Sequence, residues 1–197
     1  MAISKDKRRQ ASNEKYVDAL QEIYSKLCVV RVDLHYKKDE IDEVTLEKAN
    51  KDINKLLNNR RNNSKFDDNV GYLIKTEYGE DRNVHFHAVL FYDGQKVQKD
   101  MIKGEDIGKY WSENITDGKG TYYNCNRNDY KDNHAIGMLD YKDAEKRVNL
   151  NNAMAYLVKE EQSIDLLKEN EKDRTIRRGT MPKSKGNGGR PRKDWIS

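Results

Sequence analysis

Residues 71–91 hold two strand-length runs joined by a turn, and this pairing constrains the chain more than any other feature. The first run is Gly71-Tyr72-Leu73-Ile74-Lys75-Thr76-Glu77-Tyr78; the second is Val84-His85-Phe86-His87-Ala88-Val89-Leu90-Phe91. Between them, Gly79-Glu80-Asp81-Arg82-Asn83 reads as a hairpin loop. Successive strand side chains point to opposite faces, so His85 and His87 share one face and Phe86 takes the other. Symmetrical closure of the hairpin sets Glu77 directly across from His85. Two imidazoles and one carboxylate then converge on open space. That donor set suits a divalent cation which keeps coordination positions for substrate.

A second alternating run, Cys28 to Tyr36, carries the same division of faces. Val30, Val32, Leu34 and Tyr36 form its apolar side; Arg31, Asp33 and His35 form its polar side. Thr121–Cys125 and Ile136–Tyr141 read as shorter strands. Helical spacing predicts helices over about 11–27 (Tyr16, Leu20, Ile23, Leu27), 43–60 (Leu46, Ala49, Ile53, Leu56, Leu57), 99–116 (Ile107, Tyr110, Trp111, Ile115) and 145–162. The fold class expected is α+β: a central antiparallel sheet with helices packed mainly on one face and the metal site on the open face. One domain is expected over 1–172, followed by a basic C-terminal tail over 173–197 whose order or flexibility is left open. Aromatic side chains near the polar face, such as Tyr36 or Tyr122, are candidates for stacking on bases.

Hydrophobic residues make up 35% of the chain and charged residues 37%, which leaves a modest core under a very polar surface. No stretch approaches the roughly 18 apolar residues of a membrane helix. The first ten residues lack the apolar segment of a secretory leader. Cys28 and Cys125 are isolated, as small core fillers in a reducing cytoplasm would be. The net charge of +4 is unevenly spread. Residues 174–193 hold Arg174, Arg177, Arg178, Lys183, Lys185, Arg190, Arg192 and Lys193 and no acid, leaving the rest of the chain slightly acidic. A concentrated basic segment of this kind points to phosphate contacts. The glycines at 186, 188 and 189 equally fit a solvated terminus.

On the last helix, Leu150, Ala153, Met154 and Leu157 form a packing stripe, while Asn152, Tyr156 and Lys159 cluster opposite. Tyr156 is therefore off the apolar stripe, with the Lys159 ammonium one turn on. A cation beside a phenol favours its charged form or stabilises charge building on a substrate.

His85-Phe86-His87, the upstream Glu77 and the downstream Tyr156-x-x-Lys159 together resemble the HUH endonucleases, and within them the filamentous-phage gene-II-type replication initiators. Val30–Tyr36, His85–Gly94, Ala155–Lys159 and Gly188-Gly189-Arg190-Pro191-Arg192 also carry the likeness. The resemblance implies that Glu77, His85 and His87 hold Mg²⁺ or Mn²⁺, that Tyr156 is the nucleophile, and that Lys159 assists it. It implies a rolling-circle initiator of a small phage, satellite or plasmid in a bacterial cytoplasm. Such an initiator nicks and rejoins single-stranded or hairpin origin DNA through a 5′-phosphotyrosine. Arg31, Arg177, Arg178, Arg190, Arg192 and Lys193 are the expected DNA contacts. Residues 145–162 contain one tyrosine, which implies a single-tyrosine cycle. No Gly-x-x-x-x-Gly-Lys-Ser/Thr loop is present, so unwinding requires a helicase, and extension a polymerase, from host or element. A single-tyrosine transposase or mobilisation relaxase, and a DNA-binding regulator that does not cut, are the competing readings. A cupin-like hydrolase or oxygenase fits less well, because Glu77 precedes the histidines.

Overall fold

The structure, a computed structural model, describes residues 5–79, 81–130, 134–158 and 175–183. In chain order the elements are α1 (Lys5–Ile23), β1 (Lys26–Tyr36), α2 (Leu46–Asn59), β2 (Asn69–Gly79), β3 (Asn83–Asp93), α3 (Asp100–Tyr110), β4 (Gly120–Asn124), β5 (Gly137–Asp140), α4 (Ala144–Val158) and β6 (Ile176–Arg178). All strand pairs are antiparallel, in the order β4-β1-β3-β2-β6. β5 shares the edge of β1 with β4: β4 pairs with residues 32–36 of β1, and β5 with residues 26–29.

The hairpin closes as the alternation predicts. Gly79 pairs with Asn83, Glu77 with His85 and Lys75 with His87. Asn83 adopts φ +50°, a left-handed turn position that asparagine tolerates better than most residues. Its side-chain amide donates to the carbonyls of Ile41 (2.6 Å) and Val44 (3.2 Å), tying the turn to the loop before α2. Thr45 caps α2 by accepting from the Lys48 amide. The strand carrying both histidines is central, flanked by β1 and β2.

One sheet face is predominantly apolar. Val30, Val32 and Leu34 of β1 and Phe86, Ala88 and Leu90 of β3 pack there against Ile53 and Leu56 of α2 and Ile107 of α3. α3 ends in a widened turn over Trp111–Ile115, where Thr116 N–H reaches back to Trp111 O. That turn buries Trp111 and lets its indole N–H donate to the carbonyl of His35, 2.9 Å away. β4 closes on α3 because Gly108 has no side chain; a Cβ there would lie 2.1 Å from the Tyr122 ring.

The opposite face is divided along the strands, which refines the expectation of one open face. At one end, Leu27 and Val29 of β1, Leu73 of β2, and Val89 and Phe91 of β3 lie under α1 (Tyr16, Val17, Leu20) and α4 (Leu150, Met154, Leu157). The other end carries Asp33, His35, Lys75, Glu77, His85 and His87. Helices therefore cover both faces, and the polar groups occupy only the end that α1 and α4 leave uncovered. Cys28 and Cys125 are buried free thiols, and burial pushes both up to about 12.

The three residues of β6 lie in the segment read as a basic tail, and they pair with Leu73–Lys75 of β2. Arg177 reaches Thr76 Oγ1 (2.9 Å) and Asn50 of α2. Arg178 donates to the Ser12 carbonyl and hydroxyl (2.8 Å to the hydroxyl) and lies over the Tyr16 ring of α1. Two adjacent arginines thus fasten the edge strand to helices on opposite faces.

Candidate metal centre

Strand alternation and hairpin register bring Glu77, His85 and His87 together, all buried, with one donor atom of each lying within 4.8 Å of the others. Adjacent ligands of an octahedral cation with bonds of about 2.1 Å stand roughly 3.0 Å apart. Glu77 Oε2, 2.9 Å from His87 Nε2 and 3.5 Å from His85 Nε2, is close to that spacing from both rings.

The supporting contacts aim the donors. His85 Nδ1 lies 3.0 Å from the Asn83 carbonyl oxygen, which can only accept, so Nδ1 carries the proton and Nε2 faces inward. His87 Nδ1 donates to Asp33 Oδ1 at 2.8 Å, and its Nε2 also points at Glu77. Glu77 Oε2 is the point of convergence, 2.9 Å from His87 Nε2 and 3.5 Å from His85 Nε2. The buried Lys75 ammonium pairs with the other oxygen, Oε1, at 2.5 Å. A carboxylate or carbonyl behind each histidine is the arrangement that fixes tautomer and ring orientation at metal sites.

The charges respond to this packing. Burial alone would raise the Glu77 carboxyl, but its contacts with His85, His87 and Lys75 outweigh that and hold it well below the usual carboxylate range. Asp33 is likewise held low, by His87 and Arg31 against burial. Burial disfavours a charged His87, yet Asp33 and Glu77 on its two sides raise it to about 9. Without metal, His87 is thus an imidazolium donating to both acids. His35 behaves oppositely: burial, and then the neighbouring His85, push it down to about 4. It stays neutral and stacks on His85, with ring centroids 5.3 Å apart. Arg31 and Asp33 pair within one strand at 3.2 Å.

Of the remaining expected site residues, Tyr156 lies on α4 with 63% of its surface exposed, while Leu150, Met154 and Leu157 are buried as the helix pattern predicts. α4 packs on the metal-bearing face. Ala153 and Leu157 line a small cavity with Val89, two residues from His87, and Arg31, two residues from Asp33. Lys159, Arg190, Arg192 and Lys193 lie outside the described residues. Arg31, Arg177 and Arg178 are half-buried and hold the protein partners given above.

Tyr36 and Tyr122, expected as base-stacking candidates, face the other way. Tyr36 is buried against Trp111 and donates to Asp52, and Tyr122 donates to Glu105 of α3. The β4 aromatic on the polar face is Tyr123, which pairs across strands with Asp33. Its position follows from the phase of β4 against β1, which neither strand reveals alone. Asp33 is placed by its alternation onto the polar face as a residue able to orient ligands; the orienting roles of Asn83 and Lys75 are beyond sequence reasoning, the one signal for Lys75 being the same alternation.

A family model described as replication-associated protein ORF2/gene II protein matches residues 30–161, a span that holds all three candidate ligands and Tyr156. No curated protein and no solved structure matches the chain.

Proposed function

The chain belongs to the replication-associated protein ORF2/gene II protein family, and on that premise we propose that it is a rolling-circle initiator which nicks and rejoins single-stranded origin DNA. The observation that carries this reading is the convergence of Glu77 Oε2 with the Nε2 atoms of His85 and His87 on the sheet face where α4 packs. Two nitrogens beside one carboxylate oxygen suit Mn²⁺ better than Mg²⁺, which prefers oxygen. A divalent ion held there supplies positive charge at a non-bridging oxygen of the scissile phosphate.

In this reading the phenol oxygen of Tyr156, a largely exposed residue, attacks phosphorus in line. The bond from phosphorus to the preceding nucleotide's 3′ oxygen breaks, giving a 5′-phosphotyrosine and a free 3′ hydroxyl. Lys159 is assigned to assist the phenol. Attack by a 3′ hydroxyl on the phosphotyrosine reverses the exchange, so the phosphoester is conserved and no nucleotide cofactor is consumed. Asp33, Asn83 and Lys75 keep the three ligands aimed before substrate arrives, as a pre-organised site requires. Phosphate contacts are assigned first to Arg190, Arg192 and Lys193. Arg31, Arg177 and Arg178 are assigned mainly to holding the fold. Unwinding and extension fall to a separate helicase and polymerase.

The test is a denaturing gel of 5′-labelled and 3′-labelled single-stranded origin DNA incubated with the protein and Mn²⁺. The 3′-labelled strand is expected to shift as a covalent adduct that vanishes with Tyr156→Phe and with EDTA. Retardation on a native gel without an adduct would instead support a regulator that binds and does not cut.

A further inference from the structure

We propose that Tyr123 is the stacking platform for a nucleobase beside the cleaved phosphate, at the edge of the same sheet face that carries the candidate metal centre. The proposal rests on the reading of the chain as an enzyme of single-stranded DNA, and it names where one base of that strand is held.

The placement follows from register. Glu77 on β2 faces His85 on β3, Asp33 on β1 pairs with His87, and Tyr123 and Thr121 on β4 pair with Asp33 and His35. All these side chains lie on one face. β4 is two strands from β3, about 10 Å away at ordinary strand spacing. A nucleotide next to a phosphate at the metal centre can span that gap.

The space between is open. A cleft of about 560 Å³ has Asp33, His35, Lys38, Arg82, Thr121 and Tyr123 among its lining residues, so it runs from beside the candidate ligands to the Tyr123 ring. Tyr123 is 52% exposed although it belongs to a paired strand. Its hydroxyl donates to Asn128 Oδ1 at 2.5 Å, and Asn128 in turn donates to the Tyr130 hydroxyl at 3.2 Å. The ring is thus tethered at its polar end while a face stays open, so little side-chain freedom remains to be lost when a base stacks.

The rim has the charge for a sugar-phosphate. Lys38 and Arg82 are exposed, and among the described residues neither forms an ion pair. Asp81 shares the rim, so attraction to phosphate is local to the two cations. Asp33 is already engaged by Arg31 and His87. His35 lines the cleft with one side of its ring stacked on His85. A tethered aromatic face with two cations beside it fits a base with its backbone phosphate, recognised without regard to sequence.

The test is fluorescence anisotropy with a labelled 12-nucleotide oligodeoxythymidylate in EDTA, which reads binding without any cleavage. Tyr123→Ala is expected to weaken binding about 5- to 100-fold. Tyr123→Phe, which keeps the ring and loses the tether to Asn128, is expected to stay within about 3-fold of the parent chain. An abasic oligomer of the same length is expected to bind the parent chain about as weakly as oligodeoxythymidylate binds Tyr123→Ala. Unchanged binding by Tyr123→Ala overturns the proposal, as does a parent chain that fails to bind or that does not distinguish abasic from base-bearing strands. Loss of the covalent adduct with this binding pattern intact would remove the nicking mechanism and leave the platform standing.

Discussion

The Nδ1–H of His85 donates to the main-chain carbonyl of Asn83, two residues earlier in the same strand. One turn residue therefore sets both the hairpin and the tautomer of a candidate ligand. Asn83→Ala loses the two hydrogen bonds its amide donates, worth about 1 kcal/mol each, together with the local one its Oδ1 accepts from the Val84 amide, and places a less tolerant residue at positive φ for roughly another 1 kcal/mol. Urea denaturation is expected to show a loss of about 2–3 kcal/mol. Asn83→Gly, which tolerates the backbone angle, is expected to lose about 1 kcal/mol less.

Asp33 stands behind His87 as Asn83 stands behind His85. Asp33→Asn keeps the size of the side chain and removes the charge that holds the ring. Mn²⁺ affinity, measured by isothermal titration calorimetry, is expected to fall about 10- to 100-fold with circular dichroism unchanged.

The same pair sets a pH dependence for the metal-free protein. His87 is raised to about 9 from 6.5, so its stabilising contribution is complete below about pH 6.5 and is lost as pH rises through 9. His35 is lowered to about 4 from 6.5, so the unfolded chain gains that proton first and stability falls as pH drops from 6.5 towards 4. Glu77 and Asp33 are held low and also favour folding above the ordinary carboxylate range, with loss on acidification. Urea midpoints in EDTA are expected to peak near pH 6.5 and to decline up to pH 9. In His87→Gln the alkaline decline is expected to disappear.

Metal binding should respond in the opposite sense. An ion needs the Nε2 lone pair of His87, so binding below about pH 9 expels a proton. Mn²⁺ affinity is expected to rise with pH up to about 9. The calorimetric heat at about pH 7.5 is expected to differ between buffers of different ionisation enthalpy by close to one proton per ion.

The arginines of β6 separate folding from DNA contact. Arg178 bridges the edge strand to Ser12 and Tyr16 of α1. Its replacement by alanine is expected to destabilise by about 1–2 kcal/mol, allowing for its partial exposure. Faster hydrogen exchange at residues 176–178 and little change in the salt dependence of DNA binding are expected to accompany it.

The candidate site is largely legible in the sequence because it is local. Glu77, His85 and His87 sit on one hairpin, and strand alternation together with turn length fixes their relation. The stripe of Leu150, Met154 and Leu157 is legible for the same reason, since helical periodicity needs no partner. What escapes depends on pieces brought together from afar. Whether Tyr122 or Tyr123 faces the metal centre is decided by the register of β4 against β1, two strands far apart in the chain. β6 has three residues, two of them arginines, and becomes a strand only because β2 offers an unpaired edge and α1 and α2 offer partners for the guanidinium groups. That α1 and α4 cover half of the polar face is hidden because Leu27, Val29, Val89 and Phe91 occupy the same alternation as Asp33 and His87. A strand can change from core to site along one face without breaking its period.

In the proposed reading, Glu77, His85 and His87 hold one divalent cation. Electron paramagnetic resonance of a Mn²⁺ titration measures it directly. One tightly bound ion per chain is expected, with binding reduced by about 10-fold or more in each of Glu77→Ala, His85→Ala and His87→Ala, while circular dichroism shows each variant folded. Mn²⁺ binding that persists unchanged in the three folded variants, or no binding by the parent chain, would contradict it.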